Sequence, residues 1–99
     1  MILIHVSVQP QIALTVDFEQ VLNEIVLEAR RVPGCLKYEW YRATDAPNSY
    51  VIFGEFDTKA HFEQYLQSNV VKRIGRELIP LLETKPAFKH YEGAVFKEG

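Results

Sequence analysis

The sequence predicts an α+β fold with the chain order βαββαβ, in which a four-stranded antiparallel sheet carries helices on one face. Three observations predict it. Apolar residues alternate in four short stretches, as strand side chains do. Two longer stretches carry them at three- and four-residue steps, as one face of a helix does. Between Pro33 and Leu66 a helix stop, a strand, a polar turn, a second strand and a helix start follow one another directly. A chain of this order forms the split, ferredoxin-like sandwich.

Ile2 to Val8 is apolar and β-branched and ends before Pro10. Ile2, Ile4, Val6 and Val8 share one face, and Leu3, His5 and Ser7 the other. Apolar residues on both faces predict an interior strand covered on both sides. From about Thr15 to Val32 the period changes: Phe18, Val21, Leu22, Ile25, Ala29 and Val32 make one helix face. Thr15 or Asp17 is the expected cap, Arg30 and Arg31 complement the dipole in the last turn, and Pro33-Gly34 stops the helix. Cys35 to Arg42 alternates again, with Leu36, Tyr38, Trp40 and Arg42 on one face. Asp45-Ala46-Pro47-Asn48 is turn chemistry, and Tyr50 to Phe56 is the next strand. The short connection predicts antiparallel pairing. Asp57-Thr58 caps a helix carrying Ala60, Phe62, Tyr65 and Leu66, which Ser68-Asn69 breaks. A second amphipathic piece carries Val70, Val71, Ile74, Leu78 and Leu81; Gly75 weakens it and Pro80 kinks or ends it. Phe88 to Phe96 is the predicted last strand.

The 99 residues, 47% of them hydrophobic, predict a single domain over 1–99. The net charge is −2, and the cations Lys37, Arg42, Lys59, Lys72, Arg73, Arg76, Lys85 and Lys89 are scattered among acids. A nucleic-acid binder normally shows a basic stripe, so no nucleic-acid partner is expected. No apolar run approaches the ~18–20 residues of a membrane span, and the N-terminus has no basic leader. One cysteine cannot pair internally, which fits a reducing, cytoplasmic setting. No phosphate loop or nucleophile elbow is present. The three histidines have no metal-ligand spacing, so no metal is expected.

Helices on one sheet face leave the other uncovered. That face would show Leu3 or Ile4, Tyr41 or Trp40, and Phe53 or Phe56. Either choice exposes large apolar side chains, and such a patch normally marks an interface. Two sheets packed face to face in a twofold dimer would bury it. Each 100 Å² of apolar burial contributes roughly 2.5 kcal/mol before ordering costs.

The chain resembles the antibiotic biosynthesis monooxygenase family of dimeric α/β barrels. The resemblance is carried by Pro33-Gly34-Cys35 with Tyr38 and Arg42, by Asp45-Ala46-Pro47-Asn48-Ser49, and by Tyr50-Val51-Ile52-Phe53 with Glu55-Phe56. Thr58-Lys59-Ala60 and Pro80-Leu81-Leu82 extend it over nearly the whole chain. It implies a homodimer through sheet faces and a pocket for a small aromatic or hydrophobic molecule. It also implies oxygenation with no cofactor, neither metal nor flavin: a phenol or hydroquinone is deprotonated and its anion reduces dioxygen, while the protein positions it and excludes water. The chain departs from the family at a tryptophan commonly found at the end of the third strand, where Phe56 stands, and at helical histidines, where Tyr65 and Val70 stand. The haem-degrading branch uses an asparagine on the first strand, that tryptophan and a helical histidine; Ile4, Phe56 and Val70 occupy those places, which disfavours haem degradation.

Twelve aromatic residues can wall such a pocket. The candidate catalytic residues are His5, His61, Tyr65 and Glu55. His5 is either a base in the pocket or a hydrogen-bonded interior histidine, and His61 either a base or a solvent-facing helix residue. His90 is expected at a surface or interface. Glu55 acts as a base if left unpaired in a pocket, or pairs with Arg42 across the hairpin. Tyr65 is a donor in place of histidine, or a packed tyrosine. The candidate substrate-binding residues are Tyr38, Trp40, Arg42, Phe53, Phe56 and Phe62, with Arg42 either pairing with an anionic substrate or ending an aromatic pair in a salt bridge. Cys35 follows a helix stop rather than a helix N-terminus and is a packing residue. The leading expectation is a cofactor-independent monooxygenase for a small aromatic or quinol-type molecule. The alternatives are a non-catalytic dimeric module that binds a small ligand, and an isomerase or lyase on the same fold.

Overall fold

The computed structural model describes residues 1–98. Its strands are β1 (Ile2–Val8), β2 (Cys35–Arg42), β3 (Tyr50–Phe56) and β4 (Ala87–Glu92). They form one antiparallel sheet in the order β2-β3-β1-β4. The helices are α1 (Thr15–Ala29), α2 (Lys59–Leu66) and α3 (Asn69–Arg73). Beyond α3 the chain continues through a π-helical turn (Ile74–Leu78) and a 3₁₀ turn (Ile79–Leu81). This is the ferredoxin-like α+β arrangement that the alternation pattern predicts.

One sheet face supplies the core. Ile2, Ile4, Val6 and Val8 of β1 are buried beside Tyr50, Ile52 and Phe56 of β3 and Tyr38 of β2. Phe18, Leu22, Ile25, Val26 and Ala29 of α1 pack on them, together with Phe62, Tyr65, Val70 and Leu78 from the second helical half. The opposite face carries Leu3, His5 and Ser7 of β1 in register with Glu55, Phe53 and Val51 of β3. Apart from the exposed Ser7, these are half-buried. So β1 is interior within the sheet but is covered fully on one face only, because both helical layers lie on the same side. Tyr41, rather than Trp40, stands on the open face, as do Leu3 and Phe53.

Several boundaries differ from the sequence expectation. α1 ends at Ala29, and Arg30 turns back to donate from Nε to the carbonyl of Tyr38 at 3.1 Å. No side chain caps its start: a short 3₁₀ turn (Ile12–Leu14) leads in, and the Thr15 hydroxyl donates to the Ile12 carbonyl instead. By contrast, Thr58 does cap α2, its Oγ1 accepting from the backbone N–H of His61 at 3.2 Å. The break at Ser68 is also present, and the Ser68 hydroxyl donates to the Tyr65 carbonyl at 2.6 Å. β4 ends at Glu92, where its pairing with β1 ends at Ile2, so the predicted extension to Phe96 has no neighbour to pair with.

Polar contacts hold the second helical half in place. Arg73 reaches Glu24 of α1 at 2.8 Å and Glu28 at 3.5 Å while bonding Glu77 at 2.8 Å on its own segment. At the other end, the backbone N–H of Gln11 donates to Leu81 and that of Glu83 to Gln9.

Candidate functional site

Where α2, α3 and the π-helical turn arch over the β1–β4 side of the sheet, they do not fill the space beneath them. A cavity of about 230 Å³ remains. Its floor includes Val6, Val8, Ile52 and Phe88, its roof includes Val71, Ile74, Leu78 and Ile79, and Tyr38, Tyr65 and His90 stand in the wall. A π-helical turn widens the helix by one residue per turn, and such turns often sit at functional sites.

In this apolar wall the Tyr38 and Tyr65 hydroxyls lie 2.7 Å apart. Tyr38 is 1% exposed and Tyr65 4%. Strand alternation brings Tyr38 up from β2, and α2 brings Tyr65 down one turn after Phe62. Phe56 packs against Tyr65 with ring centres 4.7 Å apart, and Phe62 lies 5.9 Å from Phe56. Burial, above all, pushes the Tyr65 phenol up to about 12. Burial also holds Tyr38 well above the ordinary phenol value, with the neighbouring Tyr65 hydroxyl adding to it. Both are therefore protonated donors near neutrality.

The structure separates the ten predicted site residues. Tyr38 and Tyr65 line the cavity, and Phe56 and Phe62 support Tyr65 from behind. His5, Phe53 and Glu55 stand on the open sheet face, away from it. Phe53 there lies under the Lys37 ammonium, 5.7 Å from its ring centre. Trp40 and Arg42 are near α1. The Trp40 indole N–H donates to Asn23 at 2.8 Å. Arg42 pairs with Glu19 at 2.6 Å and lies over the Tyr50 ring, while the Tyr50 hydroxyl donates to the same Glu19 oxygen at 2.5 Å. The sequence option of an Arg42–Glu55 pair is therefore not realised: the register sets Arg42 opposite Tyr50 and Glu55 opposite Lys37.

His61 starts α2 rather than facing the cavity. Its Nδ1 lies 2.7 Å from Asp57, whose carboxyl is held below its ordinary value mainly by this hydrogen bond. The ring lies over Gly34, which has φ +81°. Cys35 is partly buried and its thiol is raised by that burial, which weakens it as a nucleophile. Among the described residues, no three His, Cys, Asp or Glu side chains gather into a group that could hold a metal ion.

His90 is exposed, as the sequence reading expects, but it also borders the cavity, which that reading does not foresee. Its ring meets Phe62 edge-on at 5.0 Å, at the mouth of the cavity. The signal lay in pairing parity: His90 is opposite Ile4, so it shares the helix-covered face. That parity is visible only once the β1–β4 register is known.

Fold and cavity together define a class: a small ferredoxin-like domain with an apolar ligand-sized space between sheet and helices. The family model for antibiotic biosynthesis monooxygenase matches residues 1–77, and the chain belongs to that family. No curated protein matches the sequence. Solved structures of the same fold include a conserved protein from Methanosarcina mazei Go1, with TM-score 0.87 and 18% identity over 94% of this chain and 92% of that one. A candidate antibiotic biosynthesis monooxygenase from Deinococcus radiodurans has TM-score 0.86 and 22% identity over 100% of each chain. Rv0793 from Mycobacterium tuberculosis has TM-score 0.87 and 14% identity over 98% of each. At these identities the likeness is one of fold.

Proposed function

We propose that the chain is a monooxygenase acting on a small aromatic or quinol-type molecule held in the cavity between sheet and helices. The observation that carries this reading is a space of about 230 Å³, apolar except for a buried pair of phenols and a histidine at its mouth. Burying an aromatic ring there removes it from water at ~25 cal/mol per Å² of apolar surface. Tyr38 and Tyr65 orient its oxygen, and His90 is the cavity group whose imidazole can accept a proton.

The chemistry follows from the substrate. A phenol with a free para carbon loses its O–H proton to His90. The anion passes one electron to dioxygen, and the ring radical and superoxide join in a C–O bond. Loss of the ring C–H proton with cleavage of the O–O bond leaves a quinone carbonyl and releases water. One dioxygen is consumed, with one oxygen atom retained and one leaving as water. The protein's part is positioning, exclusion of bulk water and proton uptake.

Oxygen uptake with a panel of one- and two-ring phenols that have a free para carbon, such as 1-naphthol, tests this. Consumption that survives chelation, and falls by about 100-fold or more in His90→Ala, is the expected result. Saturable binding without turnover would make the chain a binding module. Exchange of substrate protons without oxygen uptake would make it an isomerase. The open sheet face is assigned to a second copy of the chain in a twofold dimer, in keeping with Leu3, Val51, Phe53 and Tyr41 lying together there.

A further inference from the structure

We infer that the Tyr38–Tyr65 pair selects ligands with a hydrogen-bond acceptor, a carbonyl or phenolate oxygen, at the buried end of a body of one or two rings. The inference rests on reading the cavity as a ligand site. Two phenols carry two O–H hydrogens, and the bond between them, 2.7 Å long, uses one. Among the described residues neither hydroxyl has another side-chain or backbone partner. The second hydrogen is therefore spare, inside a wall that is almost wholly apolar. Leaving a buried donor unsatisfied is costly, so a ligand that accepts from it gains over one that does not. Because the first phenol polarises the second, the spare O–H is a stronger donor than an isolated tyrosine would be.

Cavity size fixes the rest of the ligand. A dry cavity of ~150 Å³ holds benzene. About 230 Å³ admits one ring or two fused rings. A third ring would have to extend past Phe88 and His90 at the mouth. The pair cannot serve as the base, because burial keeps both phenols protonated. Its part is to position the oxygen, which leaves proton acceptance to His90.

The test compares 1-tetralone with tetralin, which share a two-ring body and differ by the carbonyl. Binding is followed by two-dimensional NMR at the amides of Leu66 and Gly75, both in the cavity wall. In the wild type, 1-tetralone is expected to bind roughly three- to tenfold more tightly than tetralin. Tyr38→Phe and Tyr65→Phe each keep one free O–H and retain most of that preference. The double variant Tyr38→Phe/Tyr65→Phe has none and loses it, while tetralin affinity stays within about twofold. Removing both partners of a buried hydrogen bond is close to neutral for folding, and the wild-type ratio alone already tests the idea. Equal wild-type affinities, or a preference surviving in the double variant, overturn the pair's role while leaving the cavity as a ligand site. No saturable binding of either compound overturns the cavity reading and the pair's role with it.

Discussion

A phenol held in an apolar interior resists ionisation, and this ties stability to pH. Tyr65 titrates near 12 in the folded chain and near 10 when unfolded. Between those values the unfolded state has released a proton that the folded state keeps, so stability falls as pH rises. Each such group contributes about 1.4 kcal/mol per pH unit within its window. Tyr38, raised in the same direction, adds to the slope. Urea unfolding measured from pH 9 to 12 should show a steep alkaline loss, and Tyr65→Phe should remove about one group's share of it. An unchanged slope in the variant would mean that the Tyr65 hydroxyl is hydrated rather than buried. Tyr38 and Tyr65 were legible in the sequence because each falls on the apolar side of its own element's period. His90 was not, since its neighbours Lys89 and Tyr91 conceal which side of an edge strand faces inward.

Among the elements, the junction of β2 and α2 depends on a single glycine. Gly34 has φ +81°, a region that costs other residues ~1–2 kcal/mol, and a Cβ there would sit 2.4 Å from His61 Nδ1. Gly34→Ala should therefore destabilise by about 2 kcal/mol or more in chemical denaturation. Adding His61→Ala should recover little of it, because His61 Cβ and Asp57 Oδ1 each lie 2.5 Å from the same point. Gly75 is the opposite case: nothing lies within 4 Å of a Cβ built on it, and its φ is not positive. Gly75→Ala should stabilise by about 0.5–1 kcal/mol through the unfolded chain alone, read as a higher melting temperature. Element types and order could be read from periodicity. The π-helical turn could not, because it arises where Ile74 to Leu78 span the cavity and packing, not local preference, sets the hydrogen-bond step. The end of β4 was likewise hidden: Ala94, Val95 and Phe96 look like strand, but β1 is too short to pair with them.

At the scale of the whole molecule, helices on one side leave an open face in which Phe53 is central. If two copies meet there, twofold symmetry places each substitution in the interface twice. Losing one phenylalanine's burial costs ~1.5–3 kcal/mol per copy. Phe53→Asp should then weaken self-association by at least ~100-fold and yield a monomer by light scattering at micromolar concentration. Wild-type protein that is monomeric under those conditions would end the dimer reading, without touching the cavity.

β4 has no buried residue and pairs in the sheet with β1 alone, yet it supplies Phe88 and His90 at the cavity mouth. Marginal segments of this kind open locally long before a domain unfolds. A guest entering the cavity proposed as the ligand site would pass this lightly held strand, so how fast it comes and goes could evolve separately from how firmly the rest stays folded.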